Sequence, residues 1–168
     1  MKVVSDIIKG LGAAMLLLAL LACEKPLQNE VAPAHDEEEN GQQTTDTQMP
    51  DQIQITIAGK KLIVKIENNS ATQALVGALR EASITYTASD YGGFEKVGAL
   101  GRSLPTSDTR ITTQPGDVIL YSGAQIVLFY GSNTWSYTRL GRIQYSSNEE
   151  LKSFLKAGEG DVSVTLSL

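Results

Sequence analysis

The sequence predicts a mainly β protein, in which a small closed β-barrel is combined with two short α-helices. Within residues 51–168, about seven or eight stretches have the apolar pattern of strands, and two have the pattern of short helices. Turn residues separate these stretches, as is usual in small β-rich architectures. A closed barrel is favoured over a sandwich because the two helices need a surface on which to bury their apolar faces, and the ends of a barrel provide one.

The first half of this segment predicts a hairpin, a helix and a short strand. Isoleucines alternate with polar residues over 53–57, a glycine turn follows, and a second strand is predicted at 62–66. Residues 70–73 have the pattern of a capping box that begins at Ser70, and apolar residues then recur at helical spacing. Residues 83–87 predict a strand, after which glycines interrupt the pattern.

The second half predicts four further strands and a second helix. Residues 118–121 and 126–130 form a hairpin around a Ser-Gly turn, and because both of its faces are apolar we expect it to be central. A strand is predicted at 137–143. Residues 147–150 have a capping-box pattern that begins a short helix. Apolar and polar residues alternate over 162–168, which predicts a closing, half-buried strand.

Residues 1–22 have the features of a bacterial secretory signal. Lys2 and Lys9 form a basic start, and the apolar run at 11–22 is too short to span a membrane as a helix. The run ends in Leu-Leu-Ala before Cys23, which resembles the lipobox of bacterial lipoproteins. The resemblance implies that Cys23 becomes the first residue of the mature protein and carries acyl chains, palmitate included. The alternative is an uncleaved signal anchor with an unmodified cysteine.

Residues 23–50 are predicted to be the lipidated cysteine and a disordered acidic tether. After Cys23 the segment has one lysine and seven acidic residues, four of them in the run Asp36–Glu39, and three prolines. Low hydrophobicity combined with charge of one sign cannot offset the entropy lost on folding. The acidic run lacks the spacing of a calcium-binding loop, so a solvated spacer is predicted.

The composition excludes several classes of function. Residues 51–168 contain 11 basic and 11 acidic residues, so the net charge of -5 arises from about -6 in the tether and +1 in residues 1–22, and no basic face for nucleic acid is expected. The single histidine and single cysteine of the chain both precede residue 51. Ser–His–Asp and Cys–His catalysis are therefore excluded from the domain. We expect no cofactor, no metal and no nucleic-acid partner.

Three blocks of the sequence resemble the cyclophilin-like domain family of bacterial and archaeal proteins of unknown function. They are residues 89–105, which begin SDYGGFEKVG and end in Leu-Pro, residues 115–121 (PGDVILY) and residues 129–141 (FYGSNTWSYTRLG). The order and spacing of these blocks match the family across residues 52–168. The resemblance implies a cyclophilin-type β-barrel, in agreement with the predicted elements. It implies no activity, because the family is defined by its fold.

One alternative function is peptidyl-prolyl cis-trans isomerisation of exported proteins. True cyclophilins use an arginine donor beside an aromatic pocket to lower the barrier to rotation about the X–Pro bond, and the reaction needs no nucleophile. Their Phe-His-Arg signature is absent from this sequence. Arg139 is the candidate catalytic residue if the domain is a divergent isomerase. The sequence leaves open whether the domain is an enzyme.

The leading hypothesis is a ligand-binding or peptide-binding module of unknown specific role. Residues 132–137 predict a surface loop with hydrogen-bonding and aromatic side chains, and a second loop carries Tyr91 and Glu95; recognition tends to occur on such loops. The candidate ligand-binding residues are Tyr91, Glu95, Tyr130, Asn133, Trp135, Tyr137 and Arg139. The alternative is that the aromatic side chains belong to the core or its rim, that Asn133 is a turn residue, and that Glu95 is a solvated charge.

Together these features predict a protein of the bacterial cell envelope. Lipid on Cys23 would anchor the chain to a membrane, because several acyl chains together give stable attachment. The domain is then extracytoplasmic, either periplasmic or at the cell surface. The membrane is the first expected partner, and a peptide or small ligand is the second.

Overall fold

The computed structural model describes residues 48–168, and nine strands and two helices lie within them. The predicted signal at 1–22, the lipidated Cys23 and nearly all of the tether lie outside the described residues. The elements are β1 (Gln52–Ile57), β2 (Lys60–Ile66), α1 (Ser70–Glu81), β3 (Ile84–Tyr91), β4 (Glu95–Ala99), β5 (Thr109–Thr112), β6 (Asp117–Tyr121), β7 (Gln125–Phe129), β8 (Thr134–Ile143), α2 (Asn148–Leu155) and β9 (Val162–Ser167). From residue 48 onward, neither helix has the length and apolar character needed to cross a membrane.

Eight of these strands form a closed antiparallel barrel, which confirms the predicted fold class. They are hydrogen-bonded in the order β2-β1-β9-β3-β4-β7-β6-β8, and β8 pairs with β2 to close the ring. The remaining strand, β5, pairs with the first half of β8 and stands outside the ring. Closure leaves the ring without an unpaired strand edge.

The closing pair of β2 and β8 depends on a glycine. Gly141 lies opposite Ile66 in this pair and opposite Val118 of β6 on its other side. A Cβ atom at position 141 would overlap the carbonyl oxygen of Lys65 and stand 2.9 Å from the Cα atom of Ile66. Because both of these atoms belong to the backbone, no side-chain rotation would relieve the overlap. Glycine is therefore required for the two strands to approach this closely.

The barrel interior is an apolar core to which both helices contribute. The three isoleucines of β1 are buried, and the polar residues between them are more exposed, as expected for a strand with one face on the core. Leu75 and Leu79 of α1 and Leu151 and Phe154 of α2 belong to the same buried cluster. Burial of this apolar surface is the main source of stability, and it explains why both helices need the barrel.

The cap of the first helix lies one residue earlier than the sequence predicts. Asn69, not Ser70, caps α1: its side-chain oxygen accepts a hydrogen bond from the Thr72 amide at 3.0 Å, and the Thr72 hydroxyl accepts one from the Asn69 amide at 3.0 Å. Asparagine and serine cap helices about equally well. Here Asn69 Nδ2 also donates to the carbonyl oxygen of Arg139 at 2.8 Å, a contact that ties α1 to β8. Ser147 caps α2 as predicted.

The strand predictions are wrong for residues 88–99 and for the pairing of β5 with the first half of β8. The strand predicted at 83–87 continues to Tyr91, and residues 95–99, predicted as part of a loop, form β4. Residues 134–137, also predicted as a loop, form the first half of β8 and pair with β5, which was not predicted. Aspartate and glycine are depleted in strands, and glutamate and lysine are depleted to a lesser degree, so residues 90–98 lack a strand pattern. These segments are strands because partners distant in the sequence pair with them.

Candidate functional site

A second apolar cluster lies on the outside of the barrel wall formed by β4, β7, β6 and β8. Successive residues of a strand point to opposite faces. In β7, Ile126 and Leu128 belong to the barrel core, whereas Val127 and Phe129 belong to a separate cluster that also contains Tyr137. The wall is therefore apolar on both faces. This confirms the prediction that the central hairpin has two buried faces.

A cavity of about 400 Å³ opens on this outer wall. Its lining residues are Tyr91, Glu95, Val97, Tyr121, Gln125, Val127, Asn133, Trp135 and Tyr137. Ligand pockets commonly have volumes of about 300–1,000 Å³. Of the four large apolar side chains that are exposed in the described part of the chain, three line this cavity, namely Tyr91, Tyr121 and Trp135. Because exposed aromatic side chains gather in this concavity, it is the candidate binding site.

Glu95 is the acidic group of the pocket. The side chain is only 6% exposed, and its Oε2 atom is buried without a hydrogen-bond partner. Burial raises the pKa of the Glu95 carboxyl from 4.5 to about 7, because the ionised form loses its hydration. The alternative in which Glu95 is a solvated surface charge is therefore wrong.

The turn between β3 and β4 places Tyr91 and Glu95 side by side. These two residues are the last cross-strand pair of β3 and β4. Gly92 and Gly93 connect the strands with φ angles of 63° and 76°. Glycine adopts this left-handed region readily, whereas other residues are strained there. The glycines that interrupt the sequence pattern are thus the turn that presents Tyr91 and Glu95 to the pocket.

An ion pair between the buried Lys96 and the partly exposed Asp90, on the opposite face of β4, holds this turn. Lys96 is 0% exposed, and its Nζ atom donates to Asp90 Oδ2 at 2.8 Å and to the carbonyl oxygen of Gly160. The Tyr130 hydroxyl donates to Asp90 Oδ1 at 3.0 Å. Burial alone would raise the pKa of Asp90, but these hydrogen bonds outweigh it and lower the pKa to about 2. Tyr130, a predicted ligand residue, belongs to this network and is not a lining residue.

Asn133, Trp135 and Tyr137 form the opposite side of the pocket. Trp135 is 53% exposed, whereas Tyr137 is buried and its hydroxyl accepts a hydrogen bond from Asn133 Nδ2 at 3.0 Å. Thr113 holds the Asn133 backbone, because the two residues exchange hydrogen bonds of 2.8 Å and 2.9 Å. The position of Asn133 is thus set by β5 and the segment after it, and Asn133 in turn orients Tyr137.

Arg139 lies farther along β8 and is not among the lining residues. Its Nη2 atom is 3.2 Å from Asp117 Oδ2, and its Nη1 atom is 3.8 Å from Glu67 Oε1. Asp117 is 0% exposed and also accepts a hydrogen bond from Arg142 Nε at 3.0 Å. The guanidinium of Arg139 is therefore paired with carboxylates outside this pocket.

Four lining residues were not predicted from the sequence: Val97, Tyr121, Gln125 and Val127. Val97 lies opposite Val127, and Tyr121 lies opposite Gln125 in the sheet. The alternation within the hairpin was visible in the sequence. The sequence does not show which of the two apolar faces points outward, because that depends on how the barrel closes.

The lining is suited to binding by stacking, hydrogen bonding and a single negative charge. It combines four aromatic side chains, the amides of Gln125 and Asn133, and the carboxyl of Glu95. Among residues 48–168, no group of three or more histidine, cysteine, aspartate or glutamate side chains is placed to hold a metal ion.

Comparison with known proteins identifies the family. The sequence profile of the Cyclophilin-like family matches residues 55–167, which is most of the chain, and the protein therefore belongs to this family. The match confirms the resemblance recognised in the sequence. No curated protein sequence matches the chain. Among solved structures, it is similar to the solution structure of the hypothetical protein AF2241 from Archaeoglobus fulgidus, at 19% identity and a TM-score of 0.49, over 71% of this chain and 95% of that chain.

Proposed function

We propose that the protein is a lipid-anchored, extracytoplasmic binding module whose ligand occupies the pocket on the outer barrel wall. One observation supports ligand binding: exposed aromatic side chains and the unpartnered carboxyl of Glu95 line the same concavity. Exposed apolar surface and an unpaired buried polar atom both cost free energy in the empty protein. A ligand that covers the aromatic rings and bonds to Glu95 removes both costs.

The lipid anchor is supported by the sequence before the domain. An apolar run of about 12 residues, too short to span a membrane, leads directly to Cys23, the single cysteine of the chain. An acidic segment of 27 residues then separates Cys23 from the domain. If this segment is the disordered tether that the sequence predicts, its reach of roughly 30 Å would keep the domain clear of the membrane surface.

Replacing Cys23 by alanine is expected to abolish incorporation of lipid. The measurement is metabolic labelling of the full-length chain in a bacterial host with an alkyne analogue of palmitate, together with the intact mass of the purified protein. Wild type and a Gln28→Ala control in the tether are expected to carry the label and to begin at Cys23. An unlabelled, uncleaved wild-type chain would establish the signal-anchor alternative and overturn the lipoprotein proposal.

Ligand binding in the pocket is expected to change the fluorescence of Trp135, the single tryptophan of the chain. The full-length protein, reconstituted in phosphatidylcholine vesicles, would be titrated with neutral, anionic and cationic small molecules and with a proline-containing tetrapeptide. Tyr91→Ala is expected to weaken any binding about threefold or more, because it removes an aromatic surface. Leu168→Ala is the matched control, since Leu168 is also an exposed apolar residue but does not line the pocket. A wild-type protein whose fluorescence responds to none of these probes contradicts the proposal.

The isomerase alternative stays a prediction, and the same preparation tests it. An isomerase needs a donor that reaches the prolyl nitrogen of the substrate. The donor that the sequence suggests, Arg139, is paired with Asp117 and Glu67. Isomerisation of the tetrapeptide that is lost in Arg139→Ala would favour the enzyme over the binding module.

A further inference from the structure

The carboxyl of Glu95 lacks a hydrogen-bond donor inside a preformed cavity. Three side-chain polar atoms in the described residues are buried without a partner: Tyr86 Oη, Arg139 Nε and Glu95 Oε2. Of these three residues, only Glu95 lines the pocket. A buried acceptor without a partner costs free energy. A ligand that donates a hydrogen bond to the carboxyl gains the most binding free energy when that bond is charge-assisted.

The charge of the lining favours a cation over an anion. No lysine or arginine is among the lining residues in the described part of the chain. Two basic side chains of the pocket strands are committed elsewhere, Lys96 to Asp90 on the other face of β4 and Arg139 to Asp117. An anionic ligand would therefore meet the Glu95 carboxylate with no compensating positive charge, at a cost in Coulomb energy that is large where water is excluded.

The aromatic lining favours the same kind of ligand. Tyr91, Tyr121, Trp135 and Tyr137 line the same cavity as Glu95. The rings of Tyr121 and Tyr137 are 6.0 Å apart and nearly perpendicular, so that they form a corner and not a flat stack. The face of an aromatic ring attracts an organic cation, and this attraction strengthens as water is removed. Several rings arranged around a carboxylate are a usual way to bind an ammonium group.

We propose that the pocket binds a protonated alkyl amine. The ammonium group pairs with the Glu95 carboxylate, and the alkyl chain lies against Val97 and Val127 between the aromatic rings. A cavity of about 400 Å³ accommodates such a chain. This inference rests on the proposed function and names the ligand class. The amine belongs either to a free small molecule or to the lysine side chain of a peptide, since both present the same group.

Binding of such a ligand is coupled to ionisation of Glu95. The other titratable side chains that line the pocket with Glu95 are Tyr91 from β3, Tyr121 from β6 and Tyr137 from β8, and Tyr130 and Asp90 lie on the opposite face of the strands. With a pKa of about 7, Glu95 changes charge between about pH 5.5 and pH 8. The ligand needs the ionised form, so its affinity rises with pH over this interval.

The test uses n-butylammonium and capped lysine (Nα-acetyl-lysine N-methylamide), with n-butanol and capped norleucine as their neutral counterparts. Each would be titrated into the full-length protein in vesicles at about pH 8, with Trp135 fluorescence as the readout. Both amines are expected to bind more tightly than their counterparts. Glu95→Gln is expected to weaken amine binding about 10- to 100-fold, because a charge-assisted hydrogen bond becomes a neutral one. Glu81→Gln, which neutralises an exposed glutamate of α1, is the matched control and is expected to change nothing.

The pH dependence supplies a second readout. Wild-type affinity for capped lysine is expected to be about 30-fold weaker at about pH 5.5 than at about pH 8, because a carboxyl with a pKa of about 7 is then mostly protonated. Glu95→Gln is expected to lose this dependence. Similar affinity for the two amines identifies the alkylammonium group itself as the determinant, and tighter binding of capped lysine identifies a peptide side chain.

Two results would overturn the inference. One is equal affinity for the amines and their neutral counterparts, and the other is unchanged amine affinity in Glu95→Gln. If a neutral or anionic molecule changes the Trp135 fluorescence and the amines do not, the pocket is a binding site for another ligand class, and only this inference fails. If no probe of any class binds, the proposed function fails with it.

Discussion

Replacing Asp90 by alanine is expected to lower the free energy of unfolding by about 3–5 kcal/mol, because a buried ion pair that loses one partner leaves an uncompensated charge. Lys96 is fully buried, and its remaining partner would be the carbonyl oxygen of Gly160. Asp90 also accepts hydrogen bonds from the Tyr130 hydroxyl and from the Gly160 amide, and both are lost in the variant. Urea unfolding of the full-length protein in vesicles, followed by Trp135 fluorescence, measures the change.

Two further variants test whether the loss of stability comes from the buried charge of Lys96 or only from the removal of a carboxylate. Asp161→Ala removes an exposed carboxylate that accepts a hydrogen bond from the Ser89 hydroxyl at 2.6 Å, and we expect it to cost less than about 1 kcal/mol. The double variant Asp90→Ala with Lys96→Met is expected to be more stable than Asp90→Ala alone, because the stranded ammonium is gone. A double variant that is less stable than the single one would show that the stranded charge is not the cause.

This ion pair has a consequence for the pocket. Asp90 precedes Tyr91, Lys96 follows Glu95, and the two pairs are neighbours in the same register of β3 and β4. Side chains of adjacent residues point to opposite faces, so the ion pair is anchored behind the strands while Tyr91 and Glu95 face the pocket. The Asp90–Lys96 pair therefore holds the turn that carries these two lining residues.

The wild-type protein is expected to lose stability through Glu95 as the pH rises from about 4.5 to about 7. The folded-state pKa of Glu95, about 7, is higher than its ordinary value of 4.5, so the folded state holds this proton more tightly than the unfolded state does. Its contribution to stability is complete below about pH 4.5 and is lost as the pH passes about 7. One pKa unit corresponds to about 1.4 kcal/mol, so the loss is on the order of 3–4 kcal/mol.

The variant Glu95→Gln tests this because it cannot ionise. We expect it to resemble wild type in stability at about pH 5 and to be more stable than wild type at about pH 8, by urea unfolding at both values. All other titrating groups are shared, so the difference between the two proteins isolates Glu95. Glu81→Gln, at an exposed position, is expected to follow wild type at both values. An equal change with pH in wild type and Glu95→Gln would contradict the assignment.

Much of the fold could be predicted because its signals are local. The alternation of isoleucine in β1, the Ser-Gly turn between β6 and β7 and the Ser147 cap of α2 each depend on residues close in sequence. The predictions that are wrong concern β4, β5 and the first half of β8. These strands have a mixed polar composition, and they form because distant strands pair with them. Local patterns carry no information about such partners.

The candidate site was predicted in part. Five of the seven candidate residues line one pocket: Tyr91, Glu95, Asn133, Trp135 and Tyr137. They were found as aromatic and polar residues in conspicuous blocks of the sequence. Tyr130 and Arg139 are in ion-pair and hydrogen-bond networks outside the lining, since their polar groups are paired with Asp90 and Asp117.

The sequence by itself determined that the domain is a small β-barrel with two helices, and that the domain contains no histidine or cysteine. Only the tertiary structure decided that Glu95 is a buried carboxyl without a hydrogen-bond partner. In the sequence it stands beside a lysine as one of two ordinary charges. In the barrel, pairing with Tyr91 on one side and Phe129 on the other buries its carboxyl and leaves it unpaired. Burial depends on contacts between residues far apart in the chain, and these contacts arise only when the barrel closes.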